Sequence, residues 1–540
     1  MSNSVKKPAI ISSRFSKWRN LKQRVNSIAR RFKFFIPELK PLPAAIKKTY
    51  PKHKNKFIFE SLEQRLLLSA DPLTALLESA TNMELTVEND SVLLRNLDDQ
   101  SVIAQQLLAD TDAVFITGSL ENDSLTINDS LFSNSNSLTV TFEGGDGVDS
   151  ISGSELTGSI NWGFVGYDTG EESQAGDIFF SDIESLIAGS GTNTLFGDDV
   201  DRNWVLSEVD SFLQVDTTFS DGSAGSSTFT DFDAIIAGLE TDYIVDNSDA
   251  THWNISDFGA GSIDGLNFDN FDFLTGGSGV DTLLNFSTYA HGVNVVLTAD
   301  ADNDNYGYAT GFDGVLGFEH VTGSAYGDWI FGDTTNNRIS GLGGNDTIKG
   351  GAGNDTLAGG DDTDTLVAER NANLDLFDTE LRVDAVVEDN ISDFESANLI
   401  GGVDGNIIDA SNFTLGFVVL DGGDGSDDLI GTAFDDTLTG GLGVDTIHGG
   451  SGGVDTVSES QDANFTLTDS ALTIGSDAAD TLININAAIL VGGESDNIIN
   501  ASGFSNDGVR IEGGAGADTI TGSSADDVII GGFGDDTIDG

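Results

Sequence analysis

The chain has 540 residues, a formal net charge of −65, 66 glycines, 6 prolines and no cysteine. The lack of cysteine excludes disulfides and thiolate metal sites, and the acidity disfavours binding to nucleic acid or anionic membranes. Chains this acidic are often disordered. However, 33 phenylalanines and a hydrophobic content of 38% favour a folded body whose charge is neutralised by bound cations.

The N-terminal part has the opposite charge. Residues 1–65 have a net charge of +14, whereas the remaining residues have a net charge of −79. Apolar side chains recur there every three or four positions, at Phe15, Trp18, Leu21, Val25, Ile28 and Phe32. This spacing predicts a helix with one apolar and one basic face, which suits an anionic membrane surface or a partner's groove. A leader that is removed by processing is the alternative, and no ordinary signal peptide is visible.

Residues 57–72 read FIFESLEQRLLLSADP. The segment resembles the LEPR-XLL segment found near the N-terminus of very long repetitive bacterial proteins. The matching residues are Leu62, Glu63, Arg65, Leu67, Leu68, Ser69, Ala70, Asp71 and Pro72, while Gln64 replaces the family's proline. The resemblance implies a sorting or processing element and a secreted or surface destination. A short amphipathic helix is the structural alternative.

The rest of the chain contains a nine-residue repeat, G-G-x-G-x-D-x-U-x, in which U is a large apolar residue. It recurs in three runs, at residues 323–367, 422–457 and 513–539. The acidic sixth positions of these runs are Asp328, Asp346, Asp355, Asp364, Asp427, Asp436, Asp445, Asp455, Asp518, Asp527 and Asp536. Isolated units carry Asp149 and Asp281, and degenerate units carry Asn193, Asn406 and Asn497.

Alternating apolar and polar residues between the runs predict β-strands. A longer repeat is also present, because residues 399–413 return as residues 490–504. Residues 73–143 are predicted to begin with a short helix and to continue as strands. The predicted domains are 1–56 leader, 57–72 LEPR-XLL-like segment, 73–143 β-rich lead-in, 144–321 degenerate β-solenoid, 322–367 repeats, 368–421 β spacer, 422–457 repeats, 458–512 β spacer and 513–540 repeats.

Each nonapeptide divides into a turn of six residues and a strand of three, and two nonapeptides form one coil of a parallel β-roll. Asp355 is therefore expected to face Asn337, whereas Asp346 lies between Asp328 and Asp364 on the opposite edge. Columns of carboxylates repel one another unless a cation lies between them. Carboxylate and carbonyl oxygens suit Ca²⁺, which takes 6–8 oxygen ligands, better than Mg²⁺, which demands octahedral geometry.

These runs resemble the RTX, or haemolysin-type, calcium-binding repeat. The resemblance implies an all-β fold, a calcium-stabilised parallel β-roll or β-helix solenoid, here with longer β modules and a short basic helical leader. It implies that the side-chain ligands of calcium are Asp328, Asp346, Asp355, Asp364, Asp427, Asp436, Asp445, Asp518, Asp527 and Asp536. Asn337, Asp362, Ser523 and Ala525 depart from the pattern and weaken their units. For isolated Asp149 and Asp281 we favour a turn role.

No catalytic motif is convincing. None of the five histidines forms H-E-x-x-H, and the G-x-S-x-G match at residues 449–453 lies inside a repeat. We expect a non-enzymatic, calcium-binding repeat protein with a structural or adhesive role. The alternative is an exported hydrolase of polysaccharide or lipid, with its catalytic module in residues 160–320 or outside this chain. The aromatic-rich residues 198–275 form either such an insert or wide coils with an aromatic core.

The resemblance also implies an extracellular or outer-surface location in a Gram-negative bacterium. Export machinery, the cell surface and polysaccharide are the expected partners besides calcium, with no transmembrane span and no nucleic acid. Gly540 occupies the first position of another repeat, and no capping unit follows. We therefore expect this chain to be part of a longer protein or the product of a truncated gene model.

Overall fold

The computed structural model of the protein describes part of the chain. It describes residues 71–132, 138–158, 160–164, 177–183, 185–188, 190, 193–197, 202–209, 212–219, 227–230, 232–237, 241–246, 252–263, 266–276, 282–297 and 307–540. The predicted leader, all but the last two residues of the LEPR-XLL-like segment, and Asp281 lie outside the described residues.

The lead-in is built of strands from its first described residue. Its strands are β1 Asp71–Leu76, β2 Asn82–Glu88, β3 Ser91–Asn96, β4 Val102–Leu107, β5 Thr111–Thr117, β6 Ser124–Ile127, β7 Thr139–Glu143, β8 Ser150–Ser152 and β9 Ile160–Phe164. The short helix predicted at the start of the lead-in is wrong, because β1 is a strand that pairs in parallel with β5. That pairing buries Leu73, and tertiary pairing of this kind overrides local helix propensity. The described residues of the lead-in also contain two short 3₁₀ turns, at Leu108–Asp110 and Asp129–Leu131.

The middle of the chain continues as strands. They are β10 Asp177–Ser181, β11 Ser185–Ile187, β12 Asn193–Phe196, β13 Arg202–Val209, β14 Phe212–Phe219, β15 Ser227–Thr230, β16 Ala234–Ile236, β17 Asp242–Asp246, β18 His252–Asp257, β19 Ala260–Ile263, β20 Leu266–Asp269, β21 Phe273–Thr275, β22 Leu283–Asn285, β23 Asn294–Val296, β24 Gly307–Ala309, β25 Phe312–Leu316, β26 His320–Thr322 and β27 Trp329–Phe331. Trp204 is fully buried and packs edge-to-face on Phe271 at 6.0 Å. The aromatic-rich residues thus supply core side chains to coils of the same roll.

The C-terminal part contains the repeats. Its strands are β28 Arg338–Gly343, β29 Thr347–Lys349, β30 Thr356–Asp361, β31 Thr365–Glu369, β32 Leu374–Phe377, β33 Glu380–Val383, β34 Val386–Ser392, β35 Ser396–Gly402, β36 Ile407–Asn412, β37 Phe417–Gly425, β38 Asp428–Ile430, β39 Thr437–Thr439, β40 Leu442–Gly443, β41 Thr446–His448, β42 Thr456–Ser460, β43 Phe465–Thr468, β44 Ala471–Ile474, β45 Asp480–Ile483, β46 Ala487–Val491, β47 Ile498–Gly503, β48 Val509–Ala515, β49 Thr519–Thr521, β50 Val528–Phe533 and β51 Thr537–Asp539.

Successive repeats contribute strands alternately to two long parallel sheets. Sheet A contains β26, β28 and β30, in which Val321, Ile339 and Leu357 are paired partners. Sheet B contains β27, β29 and β31, with an equivalent register. The eighth-position side chains of the first two runs are buried in both sheets, including Ile339 and Ile348, each at most 1% exposed. The predicted all-β parallel roll of two repeats per coil is therefore confirmed.

The two C-terminal spacers share one construction. In the first spacer, β32, β33 and β34 form an antiparallel meander within sheet A. The first strand of the meander pairs in parallel with β36 of the following coil, and the last pairs in parallel with β30 of the preceding coil. The meander thus joins two coils without interrupting the sheet. Within the described residues, no helix is long and apolar enough to span a bilayer.

Candidate calcium sites

The sixth-position side chains form hydrogen-bonded columns along both edges of the roll. The backbone N–H of Asp328 donates to Asp346 Oδ1 at 2.8 Å, and the N–H of Asp346 donates to Asp364 Oδ1 at 2.8 Å. On the other edge, the N–H of Asn337 donates to Asp355 Oδ1 at 2.8 Å. Each bond joins residues 18 apart, as a coil of two nonapeptides predicts.

The other two runs repeat these columns. The same bond, from a backbone N–H to the carboxylate of the next coil, joins Asn406 to Asp427, Asp427 to Asp445, Asp436 to Asp455, Asn497 to Asp518 and Asp518 to Asp536. The N–H of Val509 donates in the same way to Asp527 Oδ1 at 2.9 Å. Asp149, in an isolated unit, makes the same kind of bond, because its carboxylate accepts the backbone N–H of Asp123 at 2.6 Å.

Sequence reasoning missed the residues with which the spacers extend the columns. Asp355 donates its N–H to Asp389, and Asp445 donates its N–H to Asp480. Asp364 donates likewise to Glu395. The longer repeat could have found them, because Asp389 and Asp480 are 91 residues apart, the same distance that separates the two copies of that repeat.

A buried glutamate outside the repeat pattern was also missed. Glu459 is 2% exposed and accepts the backbone N–H groups of Gly440 and Gly441 at 2.8 and 3.2 Å. Burial raises the pKa of its carboxyl to about 7. No sequence signal distinguishes this residue from the many exposed acids, because β42 buries it only through its register with the neighbouring strands.

The second carboxylate oxygen of most sixth-position residues has no donor. Asp346 Oδ2, for example, is buried without a hydrogen-bond partner, although Oδ1 of the same side chain is bonded. The same holds for Oδ2 of Asp355, Asp364, Asp427, Asp445 and Asp518. An unpartnered carboxylate oxygen buried in protein costs several kcal/mol unless a cation or a proton neutralises it.

The pKa values of these carboxyls reflect the same burial. Desolvation raises the pKa of Asp346 to about 7, although the hydrogen bond from the Asp328 N–H acts in the opposite direction. Desolvation likewise raises the pKa of Asp355 to about 6 and that of Asp427 to about 6. In the spacer, the pKa of Asp389 rises to about 7 for the same reason. Without a cation, burial therefore keeps these groups protonated to a higher pH than an exposed carboxyl.

Backbone carbonyls lie beside the unpartnered oxygens. A methyl group added to Gly422 would lie 2.5 Å from Asp427 Oδ2 and 2.7 Å from the carbonyl oxygen of Gly440 in the next coil. A methyl group on Gly443 would overlap the carbonyl oxygen of Gly425. Only glycine allows the turns to approach so closely. Each turn thus places a carboxylate oxygen and backbone carbonyl oxygens together, the hard oxygen set that Ca²⁺ prefers.

The carboxylates of the described turns do not converge into a cluster. Within the described parts of the chain, no three His, Asp or Glu side chains converge in a metal-binding arrangement. A cation in these turns would therefore take its other ligands from backbone carbonyls and water. This donor set fits Ca²⁺, which accepts irregular coordination by 6–8 oxygens, and does not fit Zn²⁺, which prefers nitrogen and sulfur.

Comparison with protein families agrees with this geometry. The family model of the RTX calcium-binding nonapeptide repeat matches four times, at residues 313–342, 331–366, 421–453 and 510–540. No curated protein matches the chain significantly. The RTX β-roll is typically a non-catalytic fold, and RTX proteins are generally secreted. The C-terminal region of this protein therefore contains RTX calcium-binding nonapeptide repeats, in four matched copies within the parallel roll.

Proposed function

We propose that the protein is a secreted or cell-surface calcium-binding repeat protein whose roll folds on Ca²⁺ and serves a structural or adhesive role. The buried, donor-free Oδ2 atoms of the sixth-position aspartates carry the proposal. Such atoms are stable as carboxylates only beside a cation, and the carbonyl oxygens around them complete an oxygen ligand set. We also propose that the chain is divided as the repeats and spacers indicate.

Calcium supplies the positive charge that the columns lack. Asp346, Asp355, Asp364, Asp427, Asp445, Asp518 and Asp536 would hold it through Oδ2, while Oδ1 keeps each turn hydrogen-bonded to the preceding coil. The adjacent glycines supply carbonyl oxygens from two stacked turns. In the folded roll, the side-chain bond to the neighbouring coil fixes the orientation of each carboxylate and leaves Oδ2 free for the ion.

Folding and binding are then linked. An ion that binds the folded roll and not the unfolded chain stabilises the roll in proportion to the logarithm of its concentration. Extracellular calcium modules have dissociation constants of about 10⁻⁴ to 10⁻³ M. With affinities in that range, the acidic chain would stay loose inside the cell and would fold after export. The general secretion of RTX proteins supports this order of events.

A calcium titration of the full chain tests the proposal. Far-UV circular dichroism should show a cooperative gain of β signal with CaCl₂ and none with MgCl₂. The double variant Asp346→Ala, Asp355→Ala should need more calcium. The matched control is Asp507→Ala, Asp526→Ala, which removes two exposed carboxylates and should behave as the unmodified chain. A roll already complete in EDTA at neutral pH would contradict the proposal.

A further inference from the structure

The six-residue turns of the repeats are of two kinds. In what we call a closed turn, the backbone N–H of the second residue donates to the side-chain oxygen of the sixth residue. Thr432 N–H, for example, donates to Asp436 Oδ2 at 2.6 Å, and the Thr432 hydroxyl bonds the same carboxylate at 2.9 Å. In an open turn this bond is absent. Asp445, which follows one turn later, has a buried Oδ2 with no donor.

The closed turns form a small, regular set. In each of them, the backbone N–H of the second residue donates to the side-chain oxygen of the sixth at 2.6–2.9 Å. The donor and acceptor pairs are Ser324 and Asp328, Asp333 and Asn337, Gly402 and Asn406, Thr432 and Asp436, Gly493 and Asn497, and Ser523 and Asp527. The carboxylates of Asp328, Asp436 and Asp527 are therefore satisfied within their own turns, and hydroxyls of Ser324, Thr432 and Ser523 add a further bond to each.

Backbone conformation separates the two kinds. In open turns the second residue has a positive φ, as at Leu342, Gly351, Gly360, Gly423, Gly441, Gly450, Gly514 and Gly532. A second positive φ follows two residues later, or three where the turn has an inserted residue, at Gly344, Gly353, Asp362, Gly425, Gly443, Gly453, Gly516 and Gly534. None of the closed turns has a positive φ at either position. Positive φ at the second residue directs its N–H away from the sixth side chain and leaves that oxygen without a donor.

The identity of the sixth residue follows the same division. The closed turns contain both asparagine and aspartate, namely Asn337, Asn406 and Asn497 beside Asp328, Asp436 and Asp527. The open turns of the three runs all contain aspartate. A neutral amide satisfies a closed turn, because its oxygen accepts the N–H and no charge needs a partner. The anionic group occurs in every turn whose second oxygen is left free.

The closed turns also occupy one particular place. The columns of the second and third runs start at the degenerate units of Asn406 and Asn497, which precede those runs. Counted in this way, the column on each edge begins with a closed turn, and in the first two runs at least one open turn follows on both edges. Asp328 precedes Asp346 and Asp364, and Asn406 precedes Asp427 and Asp445. The first turn of a column has no open turn on its N-terminal side. Because its sixth side chain already accepts the N–H of the same turn, a closed turn needs no ion at the start of the column.

We infer that calcium binds only at the open turns, and that the closed turn at the start of each column is an ion-free cap. Asp328, Asp436 and Asp527 are then capping residues rather than calcium ligands. Backbone conformation at turn positions two and four separates the two kinds of turn. This inference rests on the proposed function, because it divides the candidate ligands of the same roll.

Asp436 and Asp445 provide a matched pair for the test. They belong to consecutive turns of one run, each is 1% exposed, and each accepts the N–H of the preceding coil. Bound calcium per full-length chain is measured by equilibrium dialysis and atomic emission for Asp436→Asn and Asp445→Asn. The Asp445→Asn variant should lose at least one bound ion, and Asp436→Asn should lose none.

The outcomes are separable. Equal loss of calcium in both variants, or a loss confined to Asp436→Asn, would overturn the inference while leaving the proposed function intact. An unmodified chain that binds no calcium would overturn the proposed function itself, and the inference with it. Circular dichroism at saturating calcium identifies a variant that has failed to fold.

A gain of binding gives a second, independent test. The double variant Thr432→Gly, Phe434→Gly places glycine at both positions where open turns have positive φ, and it removes the hydroxyl that bonds Asp436. It should bind one more calcium per chain than the unmodified protein. Unchanged calcium content in a correctly folded double variant would show that the backbone conformation at turn positions two and four does not prevent this turn from binding calcium.

Discussion

Asp328 donates its backbone N–H to Asp346 Oδ1 at 2.8 Å, so the two residues are direct neighbours in space. The bond uses one oxygen of the Asp346 carboxylate and leaves Oδ2 buried without a donor. Asp346 thus has two separate tasks, namely holding the preceding coil through Oδ1 and presenting a charged oxygen through Oδ2. Substitutions that separate these tasks give the first prediction.

Asp346→Asn should weaken calcium binding without removing the bond between coils. The amide oxygen can still accept the Asp328 N–H, but the negative charge beside the ion is lost. Because calcium affinity follows the number of charged ligands, the midpoint of the calcium-induced dichroism change should rise by about tenfold. Asp346→Ala loses both tasks and should shift the midpoint further. Equal midpoints for Asp346→Asn and the unmodified chain would show that Oδ2 binds no ion.

The calcium-free roll should be more stable in acid than at neutral pH. Burial raises the pKa of Asp346 from its ordinary value of 3.8 to about 7, and that of Asp355 to about 6. A raised folded-state pKa means that the folded chain binds the extra protons. The resulting stability is complete below the ordinary pKa and is lost as pH rises through the folded values.

The measurement is β signal against pH, between about pH 4 and pH 8, in EDTA and in saturating calcium. In EDTA the signal should fall as pH rises from the ordinary carboxyl pKa of 3.8 towards the folded values of about 6 to 7, where the loss is complete. With calcium it should persist at the upper end, because the ion binds the deprotonated carboxylates. A calcium-free signal that rises with pH would contradict the assigned direction of the pKa shifts.

Gly443→Ala should destabilise the roll. Gly443 has φ +145°, and an added methyl group would overlap the carbonyl oxygen of Gly425 in the preceding coil. A non-glycine residue at positive φ costs about 1–2 kcal/mol before any collision is counted. Gly343→Ala is the control, since its methyl group would meet only Asp361 Cβ, at 3.8 Å. Urea unfolding in saturating calcium should show a loss for Gly443→Ala alone.

Two adjacent isoleucines of β47 test the position of the core. Ile499 is fully buried between the sheets, whereas Ile498 is 55% exposed. Ile499→Ala should reduce the free energy of unfolding by about 2–5 kcal/mol through lost burial and a residual cavity. Ile498→Ala should change it by less than about 0.5 kcal/mol. Equal effects in urea unfolding would mean that the register of this strand is wrong.

The repeats could be read from the sequence because they impose two periods at once. Nine residues set the turn, and eighteen bring Asp346 between Asp328 and Asp364. Outside the runs, the sequence signal for secondary structure is weaker. The apolar residues of β1 are closely spaced, and the segment becomes a strand only by pairing with β5. Local pattern alone could not distinguish that pairing from a helix.

The division of the candidate ligands could not be predicted from the frame alone. Asp436 and Asp445 occupy the same sixth position, yet only Asp436 receives the N–H of its own turn. The difference arises from φ at the second residue, where Thr432 replaces glycine. The role of Asp389 also depends on the meander, which returns the chain to the column after a spacer.

The last two runs carry equivalent columns at one fixed interval. Asn406, Asp427, Asp436 and Asp445 recur 91 residues later as Asn497, Asp518, Asp527 and Asp536. The interval contains one meander and one set of turns, and the coils at its two ends occupy equivalent positions in both sheets. A duplicated unit could therefore be inserted in register, with its own caps and its own ions. The length of such a protein could change by whole modules without redesign of either flanking coil, so copy number alone would set the length of the roll.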